Sequence, residues 1–239
     1  MEVFSARARR FDDRRSPGAG LFLETGDGRR GPNSMNAEPK LLKRALRRRT
    51  IARVLAIDPA ERRRQEAELF DRFPTLPGLA QARTVLLYVS AFPEEFDTVP
   101  YLNSIIRRGR RVACPRVDRV EHRLRLFHVE DLDRDFAAGA LGIPEPILSR
   151  PELAPEEIDW ALIPGVAFDS NAFRLGRGAG HYDRLLPKFR PEIDRWALAF
   201  EPQRVDSLPI EPHDQPLTGV VYPAGSFQTS LIRPRSGGI

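Results

Sequence analysis

The chain has 239 residues, 41% of them hydrophobic and 30% charged, which is ordinary for a single globular domain with a sizeable core. No apolar run approaches the roughly 18 residues that cross a membrane, so we expect no membrane-spanning segment. The net charge of +5 favours anionic partners such as nucleotides, nucleic acids or polyanionic metabolites, without choosing among them.

Residues 1–34 are rich in glycine, proline and arginine and show no sustained hydrophobic periodicity, which predicts a disordered leader. The apolar stretch at 21–23 is too short for a secretory signal, and the acidic residues of the leader argue against a transit peptide. We therefore expect a cytoplasmic protein with a regular domain at 35–232 and a flexible tail at 233–239. Met35 is an alternative start of the chain.

Two arginine-rich helices are predicted next, at 41–57 and at 60–73, the second following the start signal Asp58-Pro59. The first would bury a stripe formed by Leu42, Leu46, Ile51, Val54 and Leu55. The later elements are predicted in this order: a strand at 84–90, a helix at 97–110 that stops at Gly109, strands at 111–117 and 122–129, a strand in the segment 158–168 that ends at Pro164-Gly165, a helix at 180–189, and strands at 195–200 and 218–223.

Strands that alternate with helices imply an α/β fold, as a single three-layer α/β/α domain with a largely parallel central sheet. In such sheets ligands gather beyond the carboxyl ends of the strands. Pro164-Gly165 and the glycine-rich segment that follows fall at such an end. We expect the binding site there.

The chain offers no pattern for a disulfide or a zinc site. Cys114 is the single cysteine, and His122, His128, His181 and His213 are scattered among different segments. A lone cysteine fits a reducing cytoplasm. Its place in a predicted strand makes Cys114 a core residue.

The segment RLGRGAGHYDR, at 174–184, combines glycines with cations. Gly176, Gly178 and Gly180 allow positive φ angles and a close approach of a ligand, so successive amides can form an anion-binding concavity. The spacing G-x-G-x-G matches neither the Walker loop nor the dinucleotide fingerprint. By itself the segment is equally compatible with a plain glycine-rich connection between elements.

Charged side chains flank these glycines. Arg174 and Arg177 can donate in bidentate fashion to phosphate oxygens. Asp183 offers a carboxylate for Mg²⁺. A phosphate ligand is therefore the functional interpretation of this turn.

The segment IPGVAFD, four further residues and RLGRGAGHYDRLL together resemble the signature of the 5-formyltetrahydrofolate cyclo-ligase family, also called methenyltetrahydrofolate synthetase. The signature falls on Pro164, Gly165, Phe168, Asp169, Arg174, Leu175, Gly176, Gly178, Gly180, Tyr182 and Asp183. Further segments fit the family pattern in the same order, namely KRALR at 43–47, Glu95 with Thr98 in EEFDT, GIPEP at 142–146 and Asp214 in PIEPHDQPL. The resemblance covers Lys40 to Tyr222.

The resemblance implies an enzyme that uses ATP and Mg²⁺ to convert 5-formyltetrahydrofolate to 5,10-methenyltetrahydrofolate, releasing ADP and phosphate. The formyl oxygen would attack the γ-phosphate to give an N5-iminophosphate, and N10 would then displace phosphate from the activated carbon. Phosphoryl transfer demands positioning and neutralisation of charge rather than a protein nucleophile. Glycine amides and cationic side chains suffice for that task.

By position, the resemblance assigns roles to numbered residues of this chain. ATP would be bound by Lys43, Arg44, Ala45, Leu46, Arg47, Arg174, Leu175, Gly176, Arg177, Gly178, Ala179, Gly180, His181 and Tyr182. The folate would be bound by Glu95, Arg177, Gly178, Ala179, Gly180, His181 and Tyr182. Arg174, Arg177 and Tyr182 would be catalytic, and Asp183 and Asp214 would hold the metal.

His181 departs from the family pattern, which shows a tyrosine at that position. A histidine keeps a flat ring and adds a group that titrates near neutral pH, so activity would depend more on pH. Loss of a hydroxyl contact would instead weaken folate binding by about 1 kcal/mol. A plain tolerated substitution is the third alternative.

Other functions stay open at this point. The arginine-dense helix, the basic leader and the arginines at 107–111 motivate a catalytically silent relative that binds RNA or nucleotide. No aromatic stacking motif accompanies these basic runs, so we do not expect a nucleic-acid partner. A different ATP-dependent or sugar-phosphate enzyme on a similar scaffold is a further alternative. We expect a monomer.

Overall fold

A computed structural model describes residues 37–139 and 143–228 of the chain. The predicted leader at 1–34 and tail at 233–239 lie outside the described residues, as does the first residue of GIPEP. Within the described ranges, each helix is too short or too polar to cross a membrane.

The helices of the described residues begin and end where local signals place them. Asp58 accepts hydrogen bonds from the backbone N–H groups of Ala60 and Glu61, and Pro59 occupies the first helical position. After the third helix, Gly109 adopts a φ of 68°, a conformation that favours glycine. The helices are α1 (Ala37–Leu55), α2 (Pro59–Arg72), α3 (Val99–Arg107) and α4 (His181–Leu185).

The strands build one large sheet and two small hairpins. They are β1 (Thr84–Leu86), β2 (Arg111–Asp118), β3 (Arg123–Val129), β4 (Phe136–Ala138), β5 (Pro144–Pro146), β6 (Glu152–Leu153), β7 (Trp160–Leu162), β8 (Ala167–Phe168), β9 (Arg174–Leu175), β10 (Asp194–Leu198), β11 (Gly219–Tyr222) and β12 (Gly225–Gln228). The large sheet has the order β12-β11-β10-β7-β1-β2-β3-β6. Its pairs from β11 to β2 are parallel, and the outer pairs are antiparallel, which confirms the largely parallel α/β sheet.

Both faces of the sheet are buried, because successive side chains of its strands enter two different cores. Val85 lies in one core and Leu86 in the other, and Trp160 and Ala161 alternate in the same way. Helices α1 to α3 cover the first core. The second core is covered by α4 and the turns after it, including Phe189.

Helix α1 buries a different face from the one its apolar residues predict. Leu42 and Leu55 are 54% and 50% exposed, so the predicted stripe is wrong at these two positions. The buried positions are Lys43, Thr50 and Val54, spaced by one or two helical turns. A helix whose inner face carries a lysine must place it beside a polar partner, and periodicity of apolar residues cannot detect such a face.

The segment 158–168 forms two strands in different sheets, and the first ends just before Pro164-Gly165, where the sequence predicts an end. β7 ends at Leu162, and β8 pairs with β9 instead of extending the large sheet. Pro164 has no N–H to donate to a ladder, and a Cβ on Gly165 would lie 2.5 Å from the Phe168 ring. The chain therefore leaves the sheet at this proline and glycine.

Short elements account for the other differences. The helix predicted at 180–189 is α4 followed by a 3-10 turn, because Pro187 interrupts the α-helical ladder. Strands β4, β5, β6, β9 and β12 were not predicted, and each is four residues or shorter. Segments of this length carry too few residues to show a period of two.

Candidate active site

A cavity of about 490 Å³ opens beyond the carboxyl ends of the parallel strands, where the sequence predicted a site. Tyr88 and Val89 enter it just after β1, and Pro164 enters it just after β7. Helix α1, the segment between β1 and α3, the glycine turn and the loop before β11 also line it, together with residues of β2, β3 and β5. The sequence signals that are far apart along the chain thus meet in one place.

The glycine turn joins β9 to α4. Gly178 and Gly180 have φ angles of 109° and 66°, which confirms the predicted positive φ at two of the three glycines. Gly176 has a different reason to lack a side chain, because a Cβ there would lie 2.9 Å from Nη1 of Arg174. Since α4 is only five residues long, the backbone amides of the turn matter more for an anion than the helix dipole does.

Arg47 reaches the turn from α1. Its Nε donates a hydrogen bond to the carbonyl oxygen of Gly176 at 2.6 Å, and its guanidinium carbon lies 3.6 Å from the position of a Cβ on Gly178. Burial lowers the pKa of Arg47, and the nearby carboxylates of Asp183 and Asp214 act in the opposite direction. An arginine stays charged in either case, so Arg47 brings a fixed cation to the glycines.

Lys43 lies one turn before Arg47 and contacts the loop before β11. Its Nζ donates to Glu211 Oε2 at 2.7 Å and to Asp214 Oδ2 at 2.8 Å. Burial opposes its charge, but the hydrogen bonds to these two carboxylates outweigh burial and raise the pKa of Lys43. Glu211 is a site residue that sequence reasoning missed, and its signal was only its place three residues before Asp214.

Arg174 is the most enclosed cation of the site. Its Nη2 donates to Asp183 Oδ1 at 2.7 Å, and its guanidinium carbon lies 5.4 Å from the centroid of the Tyr182 ring. Its Nε is buried without a hydrogen-bond partner among the described residues. Burial raises the pKa of Tyr182, so its phenol is neutral at physiological pH.

Arg177 projects from the middle of the turn towards the segment between β1 and α3. Its Nη2 donates to the carboxylate of Glu94, and its guanidinium carbon lies 3.3 Å from the centroid of the Phe92 ring. Sequence reasoning missed both partners. Glu94 is next to Glu95, the position that matches the family pattern, and the sequence alone did not indicate that Glu94 also lies in the site.

Glu95 lines the cavity and also shapes its own loop. Its Oε2 accepts hydrogen bonds from the backbone N–H groups of Ala91 and Phe92, at 2.7 and 3.2 Å. Burial raises the pKa of Glu95 and these two hydrogen bonds act against that rise. Thr98 and Ser90 exchange hydrogen bonds across the same loop. Glu95 and Thr98, the two residues that match the family pattern here, therefore both stabilise the conformation of this segment.

His181 also lines the cavity, at the start of α4. Its Nδ1 lies 3.3 Å from Nη2 of Arg184. Burial and the charge of Arg184 lower the pKa of His181 below its ordinary value, so the ring is neutral at pH 7.

Three predicted positions of α1 lie apart from the cavity. Lys40, Lys43 and Arg47 line it, whereas Arg44, Ala45 and Leu46 are absent from the wall formed by the described residues. The helical period explains this, because positions three and four residues apart share a face and the positions between them do not. The side chains of these three residues therefore point away from the site.

The predicted metal residues, Asp183 and Asp214, line the same cavity. Each carboxylate is paired with a cation, Arg174 for the first and Lys43 for the second. The described residues contain no group of three His, Cys, Asp or Glu side chains arranged to hold a metal. Mg²⁺ commonly binds one or two carboxylates together with water and phosphate oxygens, so two aspartates fit a site that a nucleotide completes.

The walls of the cavity differ in chemistry. Cations and glycine amides surround one part, while another part is lined by apolar residues that include Val117, Leu124 and Ile143. Such a cavity can hold a polyanion beside a flat, largely apolar ring system.

Known proteins resemble this chain over nearly all of the described residues. The model of the 5-formyltetrahydrofolate cyclo-ligase family matches residues 39–223. The 5-formyltetrahydrofolate cyclo-ligase of Escherichia coli is 32% identical over 171 residues, which cover 71% of this chain and 93% of that protein. The mitochondrial 5-formyltetrahydrofolate cyclo-ligase of Arabidopsis thaliana is 28% identical over 207 residues, 77% of this chain and 74% of that protein.

Solved structures give the same result. The 5,10-methenyltetrahydrofolate synthetase of Aquifex aeolicus superposes with a TM-score of 0.69 and 27% identity, covering 83% of this chain and 96% of that one. The synthetase of Mycoplasma pneumoniae shares the fold, with a TM-score of 0.61 and 22% identity over 76% of this chain and 98% of its own.

Proposed function

The chain belongs to the 5-formyltetrahydrofolate cyclo-ligase family, and from this premise we propose how its cavity uses ATP and Mg²⁺ to close 5-formyltetrahydrofolate to 5,10-methenyltetrahydrofolate. One observation carries the proposal. Lys43, Arg47, Arg174 and Arg177 converge on a glycine turn in a cavity that also has an apolar wall. A triphosphate and a folate ring system need these two environments side by side.

The triphosphate lies along the glycine turn in this proposal. The amides of Gly176 to Gly180 donate to its oxygens, and Lys43 and Arg47 neutralise its charge from α1. Leu175 and Ala179 contribute through their backbone. The remaining α1 positions of the family pattern, Arg44, Ala45 and Leu46, act by holding the helix rather than by touching the nucleotide.

Asp183 and Asp214 would hold Mg²⁺ beside the phosphate site. When bound, the ion neutralises charge on the β- and γ-phosphates. Asp214 is paired with Lys43 and Asp183 with Arg174, so the carboxylates that would hold the ion also keep these two cations hydrogen-bonded beside the phosphate site.

The folate lies against Tyr182 and His181, with its pterin edge at Glu95. The carboxylate of Glu95 is oriented by the amides of Ala91 and Phe92, which fixes the direction in which it accepts from a pterin N–H. The neutral rings of Tyr182 and His181 offer flat surfaces beside the reacting formyl group.

Ring closure then needs two displacements. The formyl oxygen bonds to the γ-phosphorus as the bond to the β-phosphate oxygen breaks, giving ADP and the N5-iminophosphate. N10 next bonds to the activated carbon and loses its proton, and the carbon–oxygen bond breaks to release phosphate. Arg174 and Arg177 stabilise the charge on the phosphoryl group during both steps, and no protein nucleophile is required.

We also propose a cytoplasmic monomer with a regular domain at 35–232. The absence of a membrane-crossing helix in the described residues is compatible with this. The leader at 1–34 and the tail at 233–239 take no part in the proposed chemistry.

The test is the near-ultraviolet absorbance of methenyltetrahydrofolate, followed with purified protein, MgATP and 5-formyltetrahydrofolate. We expect an ATP-dependent rise that is lost in Arg177→Ala and Asp183→Ala. Arg48→Ala is the matched control, because Arg48 is an exposed arginine of α1 that does not line the cavity. Absence of a rise in a protein that still binds ATP would contradict the proposed reaction.

The RNA-binding hypothesis finds less support in the contacts of the basic run at 107–111. Arg110 donates to the carbonyl oxygens of Leu79 and Ala80, and Arg111 pairs with Glu157 at 2.7 Å. These two arginines are already engaged by other parts of the chain. Tight RNA binding with a steep salt dependence, together with undetectable turnover, would favour the hypothesis again.

A further inference from the structure

Arg177 is the long side chain of the glycine turn that lies between two glycines, so its neighbours along the chain give it little support. Gly176 precedes it, and Gly178 follows it with a φ of 109°. Neither neighbour has a side chain that could pack against the arginine. A long, unsupported side chain loses conformational entropy each time it binds a phosphate. A residue outside the turn is therefore needed to keep the Arg177 side chain in the conformation that binds phosphate.

Two residues of the segment between β1 and α3 provide that support. The carboxylate of Glu94 accepts a hydrogen bond from Nη2 of Arg177, and the ring of Phe92 lies beneath the guanidinium with 3.3 Å between Cζ and the ring centroid. Stacking fixes the plane of the guanidinium, and the ion pair fixes its rotation within that plane.

The burial of the pair is asymmetric. The Glu94 side chain is 5% exposed and the Arg177 side chain is 39% exposed, and both line the cavity. A buried carboxylate is costly without a cation, so Glu94 binds Arg177 firmly. The exposed part of the guanidinium keeps donors for a ligand, because only one of its nitrogens is used by Glu94.

The segment that carries Glu94 is itself held rigidly. Glu95 accepts hydrogen bonds from the N–H groups of Ala91 and Phe92, and Nη2 of Arg62 in α2 donates to the carbonyl oxygen of Glu95 at 2.7 Å. The segment that carries Phe92 and Glu94 therefore keeps its shape without help from Arg177. A rigid segment of this kind can orient a side chain whose own backbone leaves it free to move.

We propose that Glu94, with Phe92 as its stacking partner, is the positioning residue that aims the guanidinium of Arg177 at the transferred phosphoryl group. The inference rests on the proposed function and adds to it a residue outside the family pattern. Its role is in kcat, because an arginine that is bound but wrongly oriented still attracts phosphate and stabilises the transition state poorly.

The experiment compares Glu94→Gln, Arg177→Ala and the double variant in steady-state kinetics. We expect Glu94→Gln to lower kcat about 10- to 100-fold, with KM for ATP and for the folate within about threefold of wild type. Because both residues act through one guanidinium, the double variant should be no slower than Arg177→Ala. Glu121→Gln is the control, since it removes an exposed carboxylate that pairs with Arg123 on the surface.

Circular dichroism checks that each variant is folded. If Glu94→Gln does not fold, Phe92→Leu tests the same idea, because it keeps the ion pair and removes the stacking surface. We expect a kcat decrease of about 3- to 10-fold there. A kcat equal to or above that of wild type in the variant measured, or losses that add in the double variant, would overturn the proposal.

The proposal can fail separately from the proposed function. If wild type shows no turnover, the cyclo-ligase reaction is refuted, and the readout becomes the affinity for MgADP with aluminium fluoride, which mimics the transferred phosphoryl group rather than the bound ATP. Equal, non-additive losses of affinity in Glu94→Gln and Arg177→Ala would then support the positioning role for a phosphate ligand. Wild-type affinity in Glu94→Gln would refute it.

Discussion

Helices α1 and α2 are both rich in arginine, and they use their charges in opposite ways. In α2, Arg64 pairs with Glu61 at 2.6 Å and also with Glu68, and Arg62 pairs with Glu66 at 3.2 Å. These partners lie three or four residues away on the same helix. In α1, Lys43 and Arg47 contact residues more than a hundred positions along the chain.

The two helices show that basic residues can either stabilise their own helix or connect it to other segments. Pairs within one helix surface add a few tenths of a kcal/mol to helix stability and build nothing beyond the helix. The contacts of Lys43 and Arg47 instead join α1 to the loop before β11 and to the glycine turn. Substitutions in the two helices should therefore separate into effects on activity and effects on the helix alone.

Arg47→Ala should have the largest effect. The change removes a fixed cation from the phosphate site and the hydrogen bond to the carbonyl oxygen of Gly176, so the turn loses both charge and shape. We expect kcat/KM for ATP to fall about 100- to 1,000-fold, measured from the ATP dependence of turnover. Arg48→Ala, one residue along the same helix, should stay within about twofold of wild type.

A comparable loss in Arg48→Ala would contradict the assignment, because it would show that the overall charge of α1 matters rather than one guanidinium. Titration with salt would then weaken ATP binding in wild type and in both variants alike.

The sequence could predict α2 better than α1, for a physical reason. Asp58 and Pro59 mark the start of α2 whatever surrounds it, because a cap is satisfied by the helix's own amides. The orientation of α1 is decided by partners at Glu211 and Gly176, which no local pattern contains. Only the resemblance to a family selected Lys43 and Arg47, and it could not show that Arg44 between them points elsewhere.

The site shows the same limit. The glycine turn was predictable, because glycine is the residue that most readily adopts the positive φ angles found at positions 178 and 180. The support of Arg177 by Glu94 was not, since it depends on two loops that meet only in the fold. The end of the strand at Pro164-Gly165 was predictable from these two residue types, whereas the pairing of β8 with β9 was not, because it depends on the fold.

Lys43→Met should have the second largest effect. The ammonium group is lost from a largely buried position, and Asp214 and Glu211 are left without their cation. We expect ATP affinity to fall about 10- to 100-fold, measured by calorimetry, because a charged hydrogen-bond donor to phosphate is gone. The free energy of unfolding in urea should fall by about 1–3 kcal/mol.

The double variant Lys43→Met with Asp214→Asn is the matched control for stability. Removing the second charge relieves the uncompensated carboxylate, so part of the lost stability should return while ATP affinity stays low. Unchanged affinity in Lys43→Met would exclude a role for Lys43 at the phosphates.

Glu211→Gln should have a smaller effect that depends on pH. The hydrogen bond from Lys43 lowers the pKa of Glu211, so the carboxylate stabilises the fold above its ordinary pKa and this contribution is lost as pH falls through the lowered value. The side chain is one-third exposed, so we expect wild type to melt only about 1–3 °C above the variant at pH 7. The difference should shrink as pH falls below the ordinary pKa of a glutamate and vanish once pH is below the lowered pKa of Glu211. A difference that persists there would show that packing, not charge, connects the loop to α1.

Arg64→Ala should have the smallest effect of all, although Arg64 makes two ion pairs within α2, with Glu61 and with Glu68. Hydrogen bonds from Arg64 lower the pKa of Glu61, yet both side chains are in water, where solvent screens the attraction. We expect turnover within about twofold of wild type and a melting temperature lower by no more than about 2 °C at low salt. The residual difference should disappear at high salt, because exposed charges are screened within a few ångströms there. A salt-independent loss of activity would contradict this prediction. It would mean that the charged residues of α2 also shape the active site, through the hydrogen bond from Arg62 to the carbonyl oxygen of Glu95.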